Sequence, residues 1–164
     1  MAPVPVAVIA CGNPARSDDG AGAEVLRRLA ERGLGGDPMR IKLLDAGTDG
    51  VAVMFAARGC RRLIVIDACL SGSEPGALFE IPGWELAPGA VRPLAAHDFR
   101  WEDAIAAGRQ IFGREFPSDV TVFLIEAASL DFGVGLSPVV TAAAVTAANR
   151  IATLLDDASR LEAA

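Results

Sequence analysis

Arg62-Leu-Ile-Val-Ile-Asp67 places four consecutive branched apolar residues between a cation and an acid. A run this short and this apolar reads as a strand buried on both faces, the signature of a parallel sheet covered by helices. Working outward, similar runs occur at Val4–Ala10, Arg40–Asp45 and Val120–Glu126, giving four strand candidates. A fifth, Ala77–Ile81, follows the turn-like Ser71-Gly-Ser-Glu-Pro-Gly76 and is expected to pair antiparallel at an edge.

Helical periodicity fills the intervals. Residues 20–32 put Val25, Leu26 and Leu29 on one face, with Gly33 as a stop. Val51, Met54 and Phe55 follow the i, i+3, i+4 pattern after Thr48, a candidate cap, and Gly59 ends that segment. Trp101, Ile105 and Phe112 mark a third helix. Ser137-Pro138 opens a fourth, striped by Val140, Ala144, Ala147, Ile151 and Leu154. Strand and helix in alternation predict an α/β fold in three layers: a mainly parallel, twisted sheet of about five strands with helices on both faces. With 164 residues and no linker-like stretch, a single domain over 1–164 is expected.

Composition narrows the function classes. Acidic residues outnumber basic ones 21 to 15, for a net charge of −6, and the basic residues are scattered, which argues against a nucleic-acid partner. The N-terminal segment has no basic region before its apolar run, and no apolar stretch is expected to approach the ~20 residues of a membrane span. Cys11, Cys60 and Cys69 are odd in number and lack CxxC spacing, so no disulfide framework is expected and the cytoplasm fits. A monomer is expected.

Open α/β sheets bind ligands beyond the carboxyl ends of their strands. Strand one leads into Gly12-Asn-Pro-Ala-Arg-Ser-Asp-Asp-Gly20, strand two ends in Asp45-Ala-Gly-Thr48, and strand three ends in Asp67. Three acidic positions on one rim repel one another unless protons, donors or a cation compensate them. His97, the only histidine, lies in the long irregular stretch 82–98 and could complete a metal site. Two carboxylates with a neutral imidazole suit Zn, Ni, Mn or Fe, and spacing alone does not choose among them. Plainer roles stand beside this one: Asp18 or Asp19 could cap the following helix, Asp45 could brace the Gly-Thr turn, and His97 could be merely solvated. A cysteine nucleophile, Cys11 or Cys69 with His97 as base, is a further possibility. No GxxxxGK[ST], GxGxxG in the first turn or GxSxG is present, and Lys42 is the single lysine.

Gly12-Asn-x-x-x-x-Asp-Asp-Gly-x-Gly22, Asp45-x-Gly-Thr-x-Gly50, the strand ending in Asp67-Ala68, His97 before a helix, Glu115-Phe-Pro117 and Gly135-Leu-Ser-Pro138 together resemble the hydrogenase maturation proteases over nearly the whole chain. The resemblance implies an endopeptidase that trims the C-terminal extension from the large-subunit precursor of a nickel–iron hydrogenase. Carried over by position, it implies Asp19, Asp67 and His97 as metal-site residues, selecting Asp19 over Asp18, with Asp45 in a supporting or catalytic role. It further implies nickel supplied by the precursor rather than a resident cofactor. Ala10 departs from the glycine usual in the family, which matters only if φ is positive there. Two other readings use the same residues differently: a non-catalytic nickel-sensing assembly factor, and a small α/β nucleotide binder that the missing phosphate motifs disfavour.

Overall fold

A computed structural model describes residues 5–86 and 99–163, with side chains to residue 158. The strands are β1 (Val6–Cys11), β2 (Ile41–Gly47), β3 (Arg62–Cys69), β4 (Leu78–Pro82) and β5 (Asp119–Glu126). They form one sheet in the order β2-β1-β3-β5-β4. All neighbouring pairs are parallel except β4 with β5, which is antiparallel at the edge. The apolar run that opened the sequence is thus the middle strand, and its residues 63–68 are buried.

Alternate residues of each central strand feed opposite layers, as the period-two geometry of a strand requires. Ile64, Ile66, Phe123 and Ile125 face α1 (Ala21–Glu31) and α4 (Pro138–Ala163). Leu63, Val65, Val120 and Val122 face α2 (Gly50–Ala57) and α3 (Trp101–Phe112). Each fully buried side chain of this size contributes roughly 1.5–3 kcal/mol of transfer free energy. The expected three layers and mixed, mainly parallel sheet are therefore observed.

Details of the element ends differ from the sequence reading. Asp49, not Thr48, caps α2, its carboxylate accepting from Ala52 N at 3.0 Å. Neither Asp18 nor Asp19 caps α1: the chain passes through a short 3-10 turn at Ser17–Gly20, and Gly20 stands at the helix start. Residues 138–158 of α4 are long and apolar enough, by length and composition, to cross a membrane. Here Val140, Ala144, Ala147 and Ile151 on that helix are fully buried in the core between α1 and the sheet. Ala10 lies in β1 without a positive φ, so alanine is unstrained there.

Two glycines fix the rim where β1 and β3 end. Gly12 adopts φ +115, and a Cβ would come within 2.1 Å of the Asp19 carbonyl oxygen. At Gly22, a Cβ would meet the carbonyl oxygens of Cys11 and Ile66 at 2.8 Å each, so α1 can start hard against both strands only with glycine there.

Candidate active site

After β1 the chain leaves to one side to form β2 and returns on the other to form β3, so the sheet's switch point lies between β1 and β3. A cavity of about 560 Å³ opens there, lined among others by Gly12, Asp19, Thr48, Asp67, Cys69 and Trp101. Asp19, in the turn that follows β1, and Asp67, near the end of β3, therefore reach one space.

Asp67 is 4% exposed. Its Oδ1 accepts from Ala68 N at 2.8 Å, and its Oδ2 accepts from the Trp101 indole N–H at 2.9 Å and, at the long distance of 3.5 Å, from Arg100. Burial pushes this carboxyl up to about 6, against the pull of those donors, and the nearby Asp19 charge pushes the same way. A carboxyl near 6 can accept and return a proton at near-neutral pH, which an ordinary aspartate does poorly.

Asp19 is half-buried, and its Oδ2 accepts from Asn13 N at 2.7 Å. That bond ties its carboxylate across the Gly12–Gly20 turn and leaves other lone pairs toward the cavity. Asp18, one residue earlier, faces away from the cavity. It is 1% exposed and accepts from Ala128 N (2.8 Å), Ser129 N (3.2 Å), Ser137 N (2.7 Å) and Ser137 Oγ (3.0 Å). Burial alone would push Asp18 up, but these donors outweigh it and hold the carboxyl below its ordinary range.

Asp45 is exposed, and its carboxylate folds back to accept from Gly47 N at 3.0 Å. The register between β1 and β2 slips here, Ala10 facing Asp45 but Cys11 facing Gly47, and such a bulge re-aims side chains. Asp45 is not among the described residues that line the cavity. His97 lies outside the described residues. Among those that are described, no group of three metal-binding side chains is present, so Asp19 and Asp67 are the two candidate donors brought together.

The thiols fare poorly as nucleophiles. Cys11 is buried, and burial with the Asp67 charge raises it far beyond the neutral range. Burial, then the hydrogen bond and charge of Glu126, push Cys69 up to about 12. The thiolate is the reactive form, and neither position favours it. Cys11, Cys60 and Cys69 are all free.

Four residues that matter here carry no site role in the sequence pattern. Trp101 and Arg100 reach Asp67 from the start of α3. Arg16 lines the cavity, donates through Nε to Leu130 O at 3.1 Å and sits 5.4 Å over the Phe132 ring. Glu126 is the last residue of β5, paired with Cys69 at the end of β3 and two positions beyond Asp67.

A family model described as hydrogenase maturation protease matches residues 23–154. The Hydrogenase 2 maturation protease of Escherichia coli (strain K12) is 27% identical over 138 residues, covering 84% of this chain and 82% of that protein. Among solved structures, the hydrogenase maturating endopeptidase HybD from E. coli is similar with a TM-score of 0.76 and 25% identity, covering 93% of both chains. The [NiFe] hydrogenase maturation protease HybD from Thermococcus kodakarensis gives a TM-score of 0.73 at 28% identity, covering 92% of this chain and 98% of that one.

Proposed function

This chain belongs to the hydrogenase maturation protease family and is a peptidase, and from that premise we propose that it removes the C-terminal extension of a nickel–iron hydrogenase large-subunit precursor after nickel insertion. Asp19, Asp67 and His97 engage the nickel that the precursor carries. The observation that supports this most is the pairing of Asp67, buried and pushed up to about 6, with Asp19 in one cavity at the switch point.

The donor chemistry fits such a cargo. Both carboxylates retain acceptor capacity beyond their present hydrogen bonds, and a carboxylate pair with an imidazole suits a borderline divalent ion. Nickel bound there supplies Lewis acidity toward a carbonyl. The chain's own groups do the rest: Trp101 and Ala68 N orient Asp67, and Asn13 N orients Asp19. Asp45 contributes indirectly, by bracing the turn that leads to Thr48 at the cavity.

Incubating nickel-loaded precursor with the protein tests the proposal. A discrete shortened product is expected. Stable association without cleavage would instead mark a checkpoint factor, and a thermal shift on adding nucleotide would point to a nucleotide binder.

A further inference from the structure

Two buried carboxylates stand outside the reactive pair, and each fastens a loop that sets a leucine in the cavity wall. Glu126, 1% exposed, accepts from Ser71 N (2.8 Å), Ser71 Oγ (2.7 Å), Gly72 N (3.0 Å) and Cys69 Sγ (3.2 Å). Between those anchors lies Leu70, 67% exposed and lining the cavity. Asp18 fastens residues 128–137 in the same manner, and that loop is tied further by Ser17 Oγ to Asp131 O at 2.8 Å and by Gly133 N to Ala15 O at 2.9 Å. Leu130 on this loop also lines the cavity, as does Leu124 of β5.

A lone exposed leucine on a surface needs no explanation. Two leucines held on separately anchored loops, both lining with a third the same peptidase cavity, are a different matter. The cavity lining combines acids and arginines with the three leucines. We propose that Leu70, Leu124 and Leu130 form a specificity subsite that takes an apolar side chain of the precursor next to the scissile bond. Glu126 and Asp18 act through them as positioning residues. The inference rests on the reading of this cavity as the place of cleavage. Its occupant is the precursor's own peptide: a chain laid across the carboxylates brings its neighbouring side chains against these leucines.

The test uses nickel-loaded precursor in which each residue within about three positions of the scissile bond is changed in turn to Asp, about the span a pocket of this kind can read. With the wild-type protein, one such change lowers kcat/KM by about 10–200-fold, the range an apolar pocket commands. The pair Leu70→Ser with Leu130→Ser raises KM for natural precursor about tenfold with kcat within about threefold, and reduces the discrimination at that position to about threefold or less. The milder pair Leu70→Ala with Leu130→Ala moves both readouts in the same direction, which guards against a serine pair that folds poorly. Glu126→Gln also weakens the discrimination, a readout that a purely structural glutamate would leave alone. If both leucine pairs keep the wild-type KM and the wild-type discrimination, the subsite does not exist. If the wild-type protein leaves natural precursor intact, the proposed function has failed and the subsite falls with it.

Discussion

Asp67 and Glu126 lie near the ends of neighbouring strands, Glu126 as the last residue of β5 and Asp67 two residues before the end of β3, in the register that pairs Asp67 with Leu124 and Cys69 with Glu126. Both are almost completely buried, at 4% and 1% exposure. Their acidities nevertheless move in opposite directions. Glu126 is held below its ordinary range, first by the Ser71 hydroxyl and then, against burial, by Cys69 and the backbone N–H groups of Ser71 and Gly72. Asp67, whose burial is met by fewer close donors, rises to about 6. Burial therefore does not by itself make an acid reactive. What separates the two is how far the surrounding chain has already spent the acid's hydrogen-bonding capacity. Asp18 and Asp19 repeat the contrast within one turn: the first is saturated by the 128–137 loop, and the second has its bond from Asn13 and a view of the cavity.

Breaking the contrast at its reactive end has the largest effect. Asp67→Asn is expected to lower precursor processing by about 10³-fold or more with the secondary structure retained, read as the rate of appearance of shortened product beside a circular dichroism spectrum. Breaking it at a saturated acid costs stability first. Asp18→Asn leaves some of the buried donors from Ala128, Ser129 and Ser137 without a charged acceptor, and unfolding in urea should show a loss of about 2–4 kcal/mol.

Glu126→Gln sharpens the contrast through pH. Because the folded-state value of Glu126 lies below its unfolded one, its stabilising contribution is present above the ordinary glutamate range and is lost as pH falls through the folded value. In the variant, the fall in thermal midpoint below about pH 4.5 becomes shallower, since that titration is gone. The smallest effect is expected at Asp45. This exposed acid braces the Gly47 turn, so Asp45→Ala should stay within about 0.5–1 kcal/mol of wild type and within about threefold in processing rate.

The fold was legible because its signals are local. The run at 62–67, the antiparallel edge after the Ser71–Gly76 turn, and Pro138 at the start of the last helix each follow from short-range patterning. That acids near the ends of β1 and β3 share one rim was legible for a related reason, since a parallel sheet brings its strand ends together. The choice of Asp19 over Asp18 came from the family resemblance. What could not be read is long-range. Trp101 is 34 residues from the Asp67 it binds, and Asp18 lies more than a hundred residues from the Ser137 that donates to it. Ser137, which looks like a helix cap in the sequence, turns its hydroxyl to Asp18 instead. The bulge beside Asp45 depends on the pairing of β1 with β2, which residue types alone do not specify.

The contrast between a spent acid and an unspent one is tested most directly by mass analysis of the precursor after incubation with the wild-type protein, Asp67→Asn or His97→Ala. The same precursor without nickel serves as the second arm. A shortened product from the wild-type protein with nickel-loaded precursor alone is the expected result. Processing at the wild-type rate by both variants, or equal cleavage of nickel-free precursor, would contradict the assignment of this cavity as the nickel-reading centre.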